Sequence, residues 1–150
     1  MTREKNNLII FSEIKADQVL KKGLEMERAG LLNEVRESGL KGRGGAGFPT
    51  ASKWNLAAAA QSDKKYIICN ADEGEPGTFK DRVLLTDHVE ELLAGMTLAG
   101  YVVGSDEGII YLRGEYQYLY EKLGTSIKQA RENGLLGKNA GGKKGFDFDV

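Results

Sequence analysis

The chain has 150 residues, 41% of them hydrophobic, which suffices for one core and is too little for two full domains. Its 21 basic and 22 acidic residues nearly cancel, so no global field points to nucleic acid or an anionic membrane surface. The single cysteine, Cys69, excludes an internal disulfide, a cysteine-rich zinc site and a self-contained iron–sulfur cluster, and it fits a reducing compartment.

At the N-terminus the apolar run LIIF, residues 8–11, is too short for a membrane span and lacks a cleavage pattern, so a cytoplasmic protein is expected. Asp17 is positioned to cap a helix running to Leu24. Leu31, Leu32 and Val35 continue the helical spacing towards Gly39, with a break expected at Gly30. The segment GLKGRGGAGFPT cannot continue a helix and is a loop, and Phe48-Pro49 is expected to break the chain after it. KYIIC, residues 65–69, has the pattern of a short buried strand leading into the polar turn NADEGEPGT. Leu92, Leu93, Met96, Ala99 and Val103 share one helical face closed by Gly104.

GIIYLR, residues 108–113, repeats the buried-strand pattern, and Leu119, Leu123, Ile127 and Ala130 mark another helix ending at Asn133-Gly134. GLLGKNAGGKKG, with Lys138, Lys143 and Lys144, is expected to be a flexible, solvated basic loop. FDFDV alternates like a strand with one wet face. Strand, helix, strand, helix, strand in that order predicts an α/β layer with parallel pairing through right-handed crossovers.

Two clusters carry binding chemistry. Gly42, Gly44 and Gly47 satisfy GxGxxG, but a dinucleotide fingerprint follows a strand and opens a helix, and here a helix precedes the loop and Phe48-Pro49 follows it. No Gly-Lys-Ser/Thr follows either, so it is not a Walker loop. What remains is a glycine-dense loop carrying Arg43, with Lys53 nearby. It is either a backbone platform for a flat or phosphorylated ligand, with two cations for phosphate, or a linker or close packing site. The second cluster, Asn70, Asp72, Glu73 and Glu75, follows the first strand, where open α/β sheets bind ligands. Carboxylates there suit hydroxyls, ring N–H groups or a carboxamide; the alternative is a solvated acidic turn. An EF-hand is excluded by spacing, and His88 has no nucleophile or ligand-spaced partner in the sequence. Trp54, Tyr111, Tyr116, Tyr118 and Tyr120 are expected to pack or line a groove.

SGLKGRGGAGFPTASKW (residues 38–54) and KYIICNADEGEPGTFKDR (65–82) together resemble the NADH-binding flavoprotein subunit of respiratory complex I. That family is shared with the diaphorase subunits of NAD-linked hydrogenases and formate dehydrogenases. The similarity continues through IIYLRGEY (109–116), GLLGKN (134–139) and GFDFDV (145–150). It implies an α/β, Rossmann-like FMN-binding domain, incomplete on its C-terminal side. Residues 31–150 would form the N-terminal part of that domain and residues 1–30 a helical lead-in.

It also implies that Gly42, Arg43, Gly44, Lys53, Asn70, Asp72 and Glu73 contact FMN. Gly45, Ala46, Gly47, Phe48 and Glu75 would border NAD(H), with Phe48 stacked on adenine. Leu56 stands where many members carry a second aromatic, which weakens a second adenine contact. Family members continue into a further flavin-binding segment, a ubiquitin-like domain and a helical domain with a four-cysteine cluster, so the 4Fe-4S cluster is expected outside this chain.

The resemblance implies an oxidoreductase that acts as part of a complete subunit, in which hydride passes from NADH to FMN with no catalytic side chain and no metal ligand, and the isolated fragment is expected to be inactive. Electrons would leave through other subunits, among them a small iron–sulfur subunit and a quinone or hydrogenase module. No nucleic-acid contact or direct membrane insertion is expected, and the location is cytoplasmic, peripheral to a membrane complex at most. The alternative is a truncated, inactive fragment that serves only as an interaction or assembly module.

Overall fold

The computed structural model describes residues 14–150, so the apolar run at 8–11 and the start of the helical lead-in lie outside the described residues. Helix α1 spans Ala16–Glu25 and α2 spans Arg28–Glu37. Asp17 is not the cap: Lys15 takes that position in extended conformation, and Asp17 stands in the first turn, where its charge complements the helix dipole. Gly30 does not break the chain either and lies inside α2. The break falls at Met26 and Glu27, both extended, and Tyr101 Oη donates to the Met26 carbonyl at 3.0 Å to hold it.

Helix α3 (Thr50–Ala59) precedes strand β1 (Tyr66–Ala71), followed by α4 (Lys80–Asp87), α5 (Val89–Val103) and β2 (Glu107–Leu112). A 3₁₀ turn over Gly114–Leu119 leads into α6 (Tyr120–Glu132). Strands β1 and β2 pair in parallel, with Ile68 opposite Ile109 and Asn70 opposite Tyr111, so the expected α/β class with parallel pairing holds.

Helix α5 is the hub. Its sequence VEELLAGMTLAGYVV is apolar nearly all round, and a helix of that kind is stable only when surrounded. Ten of its residues are buried, a wider arc than the single predicted face, because α1, α2, α3, α6 and the sheet all pack against it. It closes at Gly104, φ +79, whose N–H donates to Gly100 O at 2.8 Å, as the sequence predicted.

The two strands are half-buried, not buried. Ile67, Cys69, Ala71, Gly108, Ile110 and Leu112 turn towards α5, while Tyr66, Ile68, Ile109 and Tyr111 on the other face are exposed. Runs such as YIIC and GIIYL are apolar on both sides, the composition of a strand meant for two covered faces; within the described residues helices cover one.

The basic segment before the C-terminus is packed, not a solvated loop. Ala140 is fully buried, Lys143 Nζ donates to Leu24 O at 2.8 Å, and the same ammonium lies 5.1 Å from the Tyr101 ring centroid. The final residues alternate as expected, with Phe146 and Phe148 buried, but they make only isolated bridges: Asp149 to Glu107 in parallel and Phe148 to Gly137 antiparallel. Phe148 sits in a slot between α5 and β2 that two glycines open. A Cβ on Gly100 would lie 2.5 Å from the Phe148 ring, and one on Gly108 would lie 2.9 Å from it.

Candidate cofactor cleft

The glycine loop, residues 39–49, connects α2 to α3 and is closed at its neck. Gly42 N–H donates to Phe48 O at 2.9 Å, and Thr50 N–H donates to Leu40 O at 3.0 Å, so the loop projects as a small lobe. Gly45 and Gly47 have φ of +99 and +60, a region closed to most side chains. The sequence was right that a helix precedes the loop and wrong that Pro49 breaks the chain after it. Pro49 is the N-cap of α3, a place where its missing N–H costs nothing, and the loop does open a helix.

Strand β1 carries the second motif to the same place. The chain leaves the sheet at Ala71 and turns through residues 72–79, with Asp72 N–H donating to Asn70 Oδ1 (3.0 Å) and Gly74 N–H to Asp72 O (3.0 Å). Between this turn and the glycine lobe lies an open cleft of about 690 Å³, in the size range of small-molecule sites. One wall is Gly42, Arg43, Gly44 and Gly45, with Lys53 from the first turns of α3. The other is Asn70, Asp72, Glu73 and Glu75.

All seven residues expected at FMN therefore meet in one cleft, joined by two of the five expected at NAD(H). Ala46, Gly47 and Phe48 lie off its wall, with Phe48 exposed; Leu56 is exposed as well. Thr78 and Lys80 also line it and went unnoticed in the sequence; Lys80 is paired to Asp81 at 2.6 Å. A smaller cavity of about 300 Å³ between α1, α5 and α6 is floored by aliphatic side chains such as Leu20, Leu93 and Leu136 and contains none of the residues expected at FMN or NAD(H).

The acids differ in state. Asp72 and Glu75 are exposed, whereas Glu73 is buried. Its Oε1 accepts from Asp81 N–H (2.9 Å), and its Oε2 accepts from Arg82 N–H (3.3 Å) and Tyr116 Oη (2.8 Å). Burial by itself would raise the pKa of this carboxyl, but the Asp81, Tyr116 and Arg82 hydrogen bonds prevail and hold it below the ordinary glutamate value. The same bond from Tyr116, aided by burial, raises the phenol's pKa. The sequence expected Tyr116 only to pack or line a groove and left Arg113 of IIYLRGEY without a role.

The chemistry of the cleft fits a flat, phosphorylated ligand that also carries hydroxyls or amides. Positions where a Cβ would stand on Gly44 and Gly45 are open for more than 4 Å, leaving bare backbone for a flat ligand. Arg43 and Lys53 offer charge to phosphate, and Asp72 and Glu75 offer acceptors to hydroxyls and amides.

Residues 35–150 match the Nuo51 FMN-binding domain. The chain belongs to this family. A relative from Cupriavidus necator, the NAD-reducing hydrogenase HoxS subunit alpha, is 54% identical over 120 residues, covering 80% of this chain and 20% of its own. A subunit of the NADH-quinone oxidoreductase of Escherichia coli is 46% identical over 121 residues, covering 80% of this chain and 27% of its own. The crystal structure of an NAD⁺-reducing [NiFe]-hydrogenase in its H₂-reduced state superposes with a TM-score of 0.74 at 47% identity, over 80% of this chain and 21% of that one. This member of the Nuo51 FMN-binding family thus spans only a fifth to somewhat over a quarter of these relatives. Among its described residues no helix is long and apolar enough to cross a membrane, and no group of three or more His, Cys, Asp or Glu side chains could hold a metal ion.

Proposed function

We propose that this chain is the FMN- and NADH-binding part of an NADH:acceptor oxidoreductase. The observation that carries the reading is the convergence of the glycine lobe and the acidic turn, 26 residues apart between Gly44 and Asn70, on one cleft in a domain of an FMN-binding family. Residues 31–150 are read as the N-terminal part of the cofactor domain and residues 1–30 as its lead-in.

In this reading Gly42 and Gly44 keep the backbone bare for FMN, while Arg43 and Lys53 supply positive charge to its phosphate. Asn70 and Asp72 hold hydroxyls and the ring edge, and Glu73 supports that end of the cleft. Gly45, Ala46, Gly47 and Phe48 border NADH, and Glu75 helps to place the nicotinamide end. When bound, the flavin supplies the redox chemistry, taking a hydride from nicotinamide. The residues supply orientation, and none is required as acid or base. An iron–sulfur cluster and partner subunits outside this chain, in the cytoplasm, would accept the electrons. The relatives that belong to a hydrogenase and to a quinone oxidoreductase support that general setting.

Titration of the chain with FMN, followed by flavin fluorescence, tests the reading. Saturable binding at one FMN per chain is expected, weak because the cleft is open. Absence of saturation at millimolar FMN would favour an assembly module that binds no cofactor.

A further inference from the structure

The motif IIYLRGEY has no place in the cleft wall, yet its last residues reach the acidic turn from behind. Arg113 follows β2 directly, and its N–H extends the sheet ladder to Ala71 O at 3.1 Å. Its guanidinium donates through Nη1 to the Glu73 carbonyl and is itself clamped by the Glu115 carboxylate, Nε to Oε2 at 2.8 Å and Nη2 to Oε1 at 3.0 Å. Three residues on, Tyr116 is buried and spends its hydroxyl on Glu73 Oε2. The exit of β2 thus holds the exit of β1 through a main-chain bond, a guanidinium and a phenol.

Glu73 is the point where these holds meet. Its backbone carbonyl takes Arg113, and its carboxylate takes Tyr116 and the first N–H groups of α4, which have no partner within the helix. The neighbouring acids stay uncommitted: Asp72 and Glu75 are exposed on the cleft, one and two residues away. All three share the turn that Glu73 ties down.

We infer that Arg113 and Tyr116 are positioning residues for the cofactor cleft, acting through Glu73, which serves as an internal anchor of the acidic turn and not as a ligand. The cleft's role in FMN binding rests on the function proposed above; the anchoring itself does not. A buried carboxylate with three donors has little left to offer a ligand. Freeing it would leave a buried charge short of partners and let the turn open.

The sign with pH follows from the depressed folded pKa of Glu73. The anchor is fully present above the unfolded glutamate value of about 4.3 and is lost as pH falls through the lower folded value.

The test uses Tyr116→Phe, which keeps the ring, together with Glu73→Gln and Arg113→Lys. Amide hydrogen exchange of residues 72–79 is followed by mass spectrometry in the FMN-free chain, and FMN affinity is measured in parallel. Tyr116→Phe should speed exchange in 72–79 by about ten-fold or more, the loss of one charge-assisted bond, with α5 protection unchanged. In the wild-type chain, protection of the turn, corrected for intrinsic rates, should fall on acidification below the ordinary glutamate pKa. Tyr116→Phe should move that fall upward, and Glu73→Gln should flatten it. FMN affinity should drop with exchange protection across the series. Wild-type exchange in 72–79 after Tyr116→Phe overturns the inference, as does loss of FMN affinity with unchanged exchange. Should the wild-type chain bind no FMN while the exchange results stand, the proposed function fails and the anchor survives.

Discussion

The substitution Gly44→Val separates ligand exclusion from folding, because the structure assigns neighbouring glycines different reasons for being glycine. Gly44 lines the cleft, its φ lies outside the left-handed region, and nothing lies within 4 Å of where its Cβ would stand. A Cβ there meets no neighbouring atom and the backbone angle is not one that side chains avoid, so Gly44→Val should melt within about 0.5 kcal/mol of wild type. Gly45, with φ +99, also has open space around it, yet Gly45→Ala should cost about 1–2 kcal/mol from backbone strain alone. For binding the order reverses in severity. Three carbon atoms placed where a flat ring must lie on bare backbone should cost FMN about 2.8 kcal/mol or more, a hundred-fold in Kd. Chemical denaturation and FMN titration of the two variants side by side give both numbers. Wild-type FMN affinity in Gly44→Val would refute the placement of the ligand on this lobe, and a Gly44→Val chain as unstable as Gly45→Ala would refute the backbone account.

Lys53→Ala removes an exposed cation from the cleft wall and should weaken FMN by about 1.5–3 kcal/mol, ten- to over a hundred-fold, without a change in melting; unchanged affinity would place Lys53 on the ordinary surface. Glu75→Gln keeps size and removes charge, so competition titrations should show NADH affinity altered by a larger factor than FMN affinity; equal changes in both would argue for a structural role. Phe148→Ala empties the slot between Gly100 and Gly108 and should cost about 3–5 kcal/mol, read in urea unfolding; a cost below about 1 kcal/mol would mean the last segment is not anchored.

Elements with a strong apolar period were legible in the sequence. Helix α5, its Gly104 cap, α6 and the two strands follow their patterns to within three residues, since the packing that stabilises them is what created the pattern. Helix α3 was not legible. TASKWNLAAA has one buried residue, so its stability comes from alanine propensity and one contact face, and Pro49 signals both a stop and a start. The packed basic segment was misread for a related reason. Lysines and glycines read as solvent-facing, and nothing in GGKKG shows that Lys143 finds the Leu24 carbonyl and the Tyr101 ring 119 and 42 positions earlier.

The site divides along the same line. That glycines and cations would meet acids at one ligand followed only from the family resemblance, since strand-exit geometry placed the acidic turn alone, and the structure brings the two walls together. Which acid would face the ligand did not follow, because Asp72, Glu73 and Glu75 are equivalent as letters. Burial separates them: Glu73 is 4% exposed, so its charge requires donors, and only residues folded against it can provide them. Two donors come from the start of α4, already implied by the helix that must follow the turn. The third needs a hydroxyl from beyond β2, which is Tyr116, 43 residues away. The Arg-Gly-Glu-Tyr sequence at the end of IIYLRGEY is therefore intelligible only with the register of β1 against β2. Parallel pairing of Ala71 with Leu112 sets both strand exits at the same edge, and from there the Arg113 guanidinium reaches the Glu73 backbone carbonyl and the Tyr116 hydroxyl reaches the Glu73 carboxylate.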